Sequence, residues 1–372
     1  MLGIWSVVTV SLAQITVTNV TFPALGDTLF FAFDATPNIQ VVTPPGGNQN
    51  WDFSSLRPTF TQRQIFQEPA MGTAGNAFPN ADLLYLNGAV ENYLRITNQE
   101  VRLLGYFGTD PLGIGFNANI QYSPPIVERR APMNFFDINQ ISTGLLFPFS
   151  PNLLPDSLLQ RLPIRPDSLR IRLAISRLDV IDAWGNLTIP NQTYPVLREK
   201  RTTYQETRLD AKVPPLGWLD VTDIAIQALN LSTLGVDTTI TYHFLNHISK
   251  EPIAIVTLDR AQANATLVQY KSNQLTTSMG QPQRESMQMT VFPNPASDEV
   301  YVRFNNTPPG QYYIKIYDLS GIEIRQYAVQ ITENQHEIKL NFNQMMPGIY
   351  VLRLADNQGI TRAIRRIIKI GT

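Results

Sequence analysis

Apolar and polar residues alternate with a period of two along most of the chain. Leu169, Ile171, Leu173 and Ile175 fall on one face, opposite Arg170, Arg172, Ala174 and Ser176, as in a strand with one covered face. Ile240, Tyr242 and Phe244 repeat the pattern opposite Thr241 and His243. The same rule predicts strands over 15–21, 28–33, 93–105, 253–258 and 266–270. Turn chemistry separates them at Pro44-Pro45-Gly46-Gly47, Pro124-Pro125, Trp184-Gly185-Asn186 and Pro214-Pro215-Leu216-Gly217. One short helix is expected, around 152–161, with Pro155 opposing it. The pattern predicts an all-β fold, with a large antiparallel β-sandwich or jelly-roll-like domain over 14–270.

A second block alternates even more strictly. Val300, Val302 and Phe304, then Tyr312, Ile314 and Ile316, then Ile338, Leu340 and Phe342, then Tyr350, Leu352 and Leu354 each mark a strand. A last strand covers 364–370, with Ile364, Ile368 and Ile370 expected to point inward. Asp318-Leu319-Ser320-Gly321 and Asp356-Asn357-Gln358-Gly359 read as hairpin turns. Over 289–372 this predicts a small immunoglobulin-like sandwich. The stretch 271–288, KSNQLTTSMGQPQRESMQ, follows neither period and reads as a linker.

Composition narrows the chemistry. Charged residues are only 16% and Pro reaches 27, which suits strands and turns better than helices. The 29 Lys and Arg nearly balance the 30 Asp and Glu, so no whole-chain field favours nucleic acid. The absence of Cys excludes disulfides and thiolate metal sites. Leu2 to Leu12 is apolar apart from Ser6, Thr9 and Ser11, and Ser11-Leu12-Ala13 supplies small residues for signal cleavage. Residues 1–13 are therefore expected to be a signal peptide, although no Lys or Arg precedes Arg57; a first strand is the alternative. No other stretch approaches a membrane helix, so the mature protein is expected to have no transmembrane segment.

Catalytic signatures are missing upstream. His243 and His247 are four apart, but Phe244 stands where a zincin helix needs Glu, and the surrounding alternation is that of a strand. No G-x-S-x-G elbow occurs. Scattered carboxylates (Asp179, Asp182, Glu199, Glu206, Asp220 and Asp223) leave a glycosidase-like hydrolase as the alternative. Neither Asp179-Val180-Ile181-Asp182 nor Asp220-Val221-Thr222-Asp223 is dense enough in oxygen ligands for calcium. No catalytic residue, metal or cofactor is assigned. Trp51, Trp184 and Trp218 lie beside predicted turns, where they would either stack on a sugar or plug the end of a sandwich. The first reading is thus a non-enzymatic binding or adhesion protein with a glycan as candidate ligand.

The C-terminal block has a resemblance of its own. Val291-Phe292-Pro293-Asn294-Pro295-Ala296-Ser297-Asp298 resembles the opening motif of type IX secretion system C-terminal sorting domains. Ile316-Tyr317-Asp318-Leu319-Ser320-Gly321 is similar to their first hairpin. Leu340 to Leu352, with Met346-Pro347-Gly348-Ile349-Tyr350-Val351-Leu352, is similar to one of their strands, and Arg366-Ile367-Ile368-Lys369-Ile370 to their basic terminus. The resemblance implies export by Sec and then the type IX translocon, with a Bacteroidota-type source. It also implies a surface sortase-type peptidase and lipopolysaccharide attachment as partners. The sorting signal would comprise Pro293, Asn294, Pro295, Asp318, Gly321, Pro347, Gly348, Tyr350, Arg365, Arg366 and Lys369. Arg362, Arg365, Arg366 and Lys369 are expected to form a cationic edge with no acid nearby. Trp51–Leu56, Asp182-Ala183-Trp184-Gly185 and Lys250-Glu251-Pro252 resemble a group of Bacteroidota secreted proteins with the same tail, which carries over no catalytic residue.

Overall fold

A computed structural model describes residues 15–87, 90–112, 117–153, 166–190, 192–229, 234–272, 288–294, 296–305, 307–317, 323–332, 337–343, 345, 348–356 and 361–369. The expected signal peptide and nearly all of the expected linker lie outside them. The first strands are β1 (Thr28–Asp34), β2 (Gly46–Asp52), β3 (Phe60–Gln67), β4 (Leu83–Asn87), β5 (Val90–Ile96), β6 (Glu100–Thr109) and β7 (Asn117–Arg130). Next come β8 (Ile138–Phe149), β9 (Ser168–Ile189), β10 (Gln192–Val213) and β11 (Gly217–Asp220). A helix, α1 (Thr222–Leu229), precedes β12 (Gly235–Leu245), β13 (Ala254–Leu258) and β14 (Ala265–Lys271).

These strands form one 14-stranded sheet in the order β2-β9-β10-β12-β13-β14-β1-β3-β4-β5-β6-β7, with β8 also on β9 and β11 on β10. All pairs are antiparallel except β2 with β9. The sheet curls until its two ends meet: Ala118 and Ile120 of β7 share a core with Leu145, Leu169, Ile171 and Leu209 of β8–β10. Strand β1 is covered on both faces. On one side Tyr242, Phe244, Val256, Val268 and Ala32 pack with Trp51 and Phe53. On the other, Leu29 and Phe31 pack with Phe66, Leu83, Leu94 and Val101.

Several local expectations change. Trp184-Gly185-Asn186 is no turn but lies inside β9. The glycine serves close approach instead, because a Cβ there would sit 2.0 Å from the Gln49 carbonyl oxygen on β2. Pro124-Pro125 lies inside β7. Its register with β6 jumps from Gly105–Gln121 to Leu103–Ile126, so the prolines fall where no ladder N–H is needed. The segment 15–21 makes one bridge, Val17 with Met133, and a 3-10 turn over Asn19–Thr21. The segment 93–105 is divided between β5 and β6. A 3-10 turn over Pro151–Leu153 begins the expected 152–161 helix, whose remainder lies outside the described residues. Helix α1 was not predicted; Asp223 in its first turn and the run Ile224-Ala225-Ile226-Gln227-Ala228-Leu229 favour it.

The C-terminal strands are β15 (Gln288–Phe292), β16 (Glu299–Asn305), β17 (Gly310–Tyr317), β18 (Glu323–Ile331), β19 (Glu337–Asn341), β20 (Gly348–Asp356) and β21 (Thr361–Lys369). Sheet β15-β16-β19 faces sheet β18-β17-β20-β21 across a core of Val300, Val302, Phe304, Ile314, Ile316, Leu340, Leu352 and Leu354. The buried side chains described on β21 are those of Ile367 and Lys369, neither on the expected inward face, and the side chains of Ile364 and Ile368 lie outside the described residues. Ala363, Arg365 and Ile367 stand opposite Leu354, Leu352 and Tyr350, and Ile367 is fully buried. Isoleucine occurs at both parities, so hydrophobicity alone does not choose; pairing with β20 does. Ile370 lies outside the described residues.

Candidate functional site

The inner face of the large sheet carries a row that crosses five strands. Glu199 (β10), His243 (β12), Ile255 (β13), Gln269 (β14) and Phe33 (β1) stand opposite one another in successive registers. Beside it, Leu29 and Phe31 of β1 face Gln64 and Gln62 of β3. All of these except Glu199 line a cleft of about 500 Å³. Its apolar wall comprises buried Phe31, Phe66 and Leu94 with half-buried Phe33, Tyr85 and Leu267; Gln62, Gln64, Asn87 and Gln269 supply amides. Both sides of strand 28–33 are apolar, which was the available signal that both would be covered, but its partners come from distant segments.

The other end of the cleft is ionic. Arg177-x-Asp179 on β9 and Glu199-x-Arg201 on β10 exploit the two-residue repeat to set a square of alternating charges. Arg177 Nε donates to Asp179 Oδ1 at 2.9 Å, and Arg201 Nε to Glu199 Oε2 at 3.0 Å. The guanidinium groups also reach the backbone of β7: Arg177 donates to the Val127 carbonyl, and Arg201 to that of Glu128 at 2.6 Å. Arg129 donates to the Thr21 and Lys250 carbonyls at 2.9 and 2.8 Å, and burial pushes its pKa down to about 10. Burial raises Glu199 above the usual carboxylate range. Burial, then the neighbouring Arg201, Arg177 and Arg129, keeps His243 well below the usual imidazole range. His243 Nε2 lies 3.0 Å from Thr241 Oγ1. His247 follows the end of β12 and does not line the cleft, and no group of His, Asp and Glu suited to a metal occurs among the described residues.

The tryptophans do not converge on this cleft. Trp51 is 2% exposed, edge-on to Phe244 at 5.0 Å, with Nε1 donating to Thr43 Oγ1 at 3.1 Å. Trp184 packs beneath Gly47, where a Cβ would lie 2.5 Å from its ring. Trp218 on β11 carries the Arg170 guanidinium 4.4 Å from its ring centre. Most of the candidate acids are held by arginines: Asp179 by Arg177, Asp182 by Arg198, Glu199 by Arg201, and Glu206 and Asp220 by Arg208. Asp223 sits in the first turn of α1.

In the C-terminal sandwich the opening motif and the terminal strand meet. Pro293 and Asn294 follow β15, Ala296 is fully buried and bridges Lys369, and the Asp298 carbonyl accepts from the Phe342 N–H at 2.8 Å. Lys369 Nζ lies 3.0 Å from Asp298 Oδ1. Gly348 stands opposite Lys369 in the register of β20 and β21, and Tyr350 meets Phe342 edge-on at 6.5 Å. Arg365 is exposed. Pro295, Asp318, Gly321 and Pro347 lie outside the described residues, as does the side chain of Arg366. The expected acid-free edge is not seen, because Arg362 pairs with Asp356 at 2.5 Å and Lys369 with Asp298.

The model of the secretion system C-terminal sorting domain matches residues 290–369. This segment is a type IX secretion sorting domain. It marks the protein for export by type IX secretion, and hence for release or attachment at the cell surface. It implies interaction with the secretion machinery, and no helix among the described residues is long and apolar enough to cross a membrane. A comparison with curated proteins finds no match. Among solved structures, the chain is similar to PorZ, a bacterial surface component of the type IX secretion system of Porphyromonas gingivalis. The identity is 10% over 74% of this chain and 51% of that one, with a TM-score of 0.20. Latent PorU from the same organism gives 12% over 94% and 30%, with a TM-score of 0.22. A fungal alcohol oxidase with copper gives 10% over 75% and 63%, with a TM-score of 0.18. Superpositions this loose carry no argument about activity.

Proposed function

We propose that residues 14–270 form a non-enzymatic saccharide-binding domain, displayed at the cell surface through the sorting domain over 289–372. The supporting observation is the set of cross-strand pairs around β1: Leu29 with Gln64, Phe31 with Gln62, and Phe33 with Gln269. Each sets an apolar side chain beside an amide at about 5 Å. A sugar presents an apolar C–H face beside hydroxyls over the same distance, and an amide both donates to and accepts from a hydroxyl. Phe33 and Tyr85 are the half-buried rings that would meet such a face. The hydrolase alternative needs a carboxyl free to move a proton, whereas the acids nearest the cleft are engaged by guanidinium groups. The same reading extends to the tail, which a surface sortase-type peptidase would remove with attachment of the product to lipopolysaccharide.

Glycan-array binding by the intact chain tests this reading. A defined subset of glycans should bind without being cleaved. Phe33→Ala or Gln269→Ala should weaken binding about fivefold, consistent with roughly 1 kcal/mol for one ring contact or hydrogen bond. Leu267→Trp, which fills the cleft, should abolish it. Unchanged binding by Leu267→Trp, or no glycan bound at all, would overturn the proposal. Mass spectrometry of the surface form should find a chain ending before Val291 and carrying lipopolysaccharide.

A further inference from the structure

The basic terminus of a sorting domain invites the view that each of its cations is displayed to the secretion machinery. Lys369 is placed differently. Its side chain is only 3% exposed, and its ammonium lies 3.0 Å from the Asp298 carboxylate, itself 37% exposed. The residues are 71 apart in sequence. One belongs to the opening motif and the other ends β21, so the contact joins the two sheets of the sandwich. Fully buried Ala296 bridges the backbone of Lys369 in parallel, and Gly348 flanks it on the other edge. A buried ammonium with a nearby carboxylate is stable, but the same ammonium without it is not.

We propose that Asp298 and Lys369 are positioning residues: a latch that seats the terminal strand against the opening motif. Lys369 therefore governs export through the shape of the domain and is not itself read as a displayed charge. The test is a double-mutant cycle on the full chain in a host with a type IX system, measuring both surface yield and the thermal midpoint. Asp298→Lys and Lys369→Asp alone should each cut surface yield at least tenfold and lower the midpoint by several degrees. The exchanged pair D298K/K369D should recover both. The apolar pair D298L/K369M should melt near the native chain and also be exported, because two apolar groups can replace a buried ion pair without loss. Doubles no better than the singles would show that the residues are not coupled. Doubles that melt normally but stay in the periplasm would show that the lysine charge itself is read. Single variants with unchanged melting and export would also sink the proposal.

Discussion

Arg198 has no exposed surface, yet all three of its nitrogens are bonded. Nε and Nη2 reach the Asp182 carboxylate at 2.8 and 3.0 Å, Nη1 donates to Thr43 Oγ1 at 2.7 Å, and Nη2 also reaches the Thr43 carbonyl at 3.1 Å. The guanidinium lies 4.7 Å from the ring centre of Tyr242 and 5.4 Å from that of Trp51. It thus ties the segment before β2 to the sheet beneath. Removing it leaves a carboxylate and several carbonyls unpaired, so Arg198→Ala should cost about 3–5 kcal/mol in urea unfolding. Arg198→Lys should recover less than half, since one ammonium cannot span a planar fork. His243 gives a pH effect of known sign. Its native pKa is depressed, so below about 6.5 the unfolded chain takes up a proton that the folded chain refuses. Its contribution is whole above that pH and declines as the pH falls toward the native pKa. Glu199, raised by burial, acts in the opposite sense as pH rises above the ordinary carboxylate range. The comparison is therefore with His243→Gln, whose stability should fall less than the native protein's between pH 6.5 and 5.

At the scale of elements, strict alternation was the most legible feature of the sequence. It located β9, β12, β16, β17, β19, β20 and β21 but not β15 or β18, and the inward residues of β16, β17 and β20 are those its period selects. What it missed has physical causes. Gly185 resembles a turn residue until β2 is seen crossing it, and β2 comes from more than a hundred residues upstream. Gly185→Ala should therefore weaken the β2–β9 pair and destabilise the protein by about 1–3 kcal/mol, with hydrogen exchange quickening first at Gln49–Trp51. Uniform exchange across the sheet would argue against that local origin. The face chosen by β21 was ambiguous because isoleucines occupy both parities. The cleft was illegible because β1, β3, β4, β12, β13 and β14 each supply only one to three of its residues.

For the whole molecule, the family assignment and the placement of the cleft concern different parts of the chain, and we read those parts as separable. Trypsin should cut the intact protein first between Lys271 and Gln288, where Lys271 and Arg284 are available. The large fragment left by that cut should melt as it does in the full chain, and its unfolding on cleavage would show a shared core. The contact between Asp298 and Lys369 has a consequence for the life of the chain before export. β21 is the last strand of the sandwich to be synthesised, so the sheet pair cannot be completed before residue 369 has been made. A product cut short by a premature stop lacks the lysine and stays open. A machine that accepts only the closed form would thereby proofread the length of its cargo, rejecting incomplete chains without inspecting anything upstream.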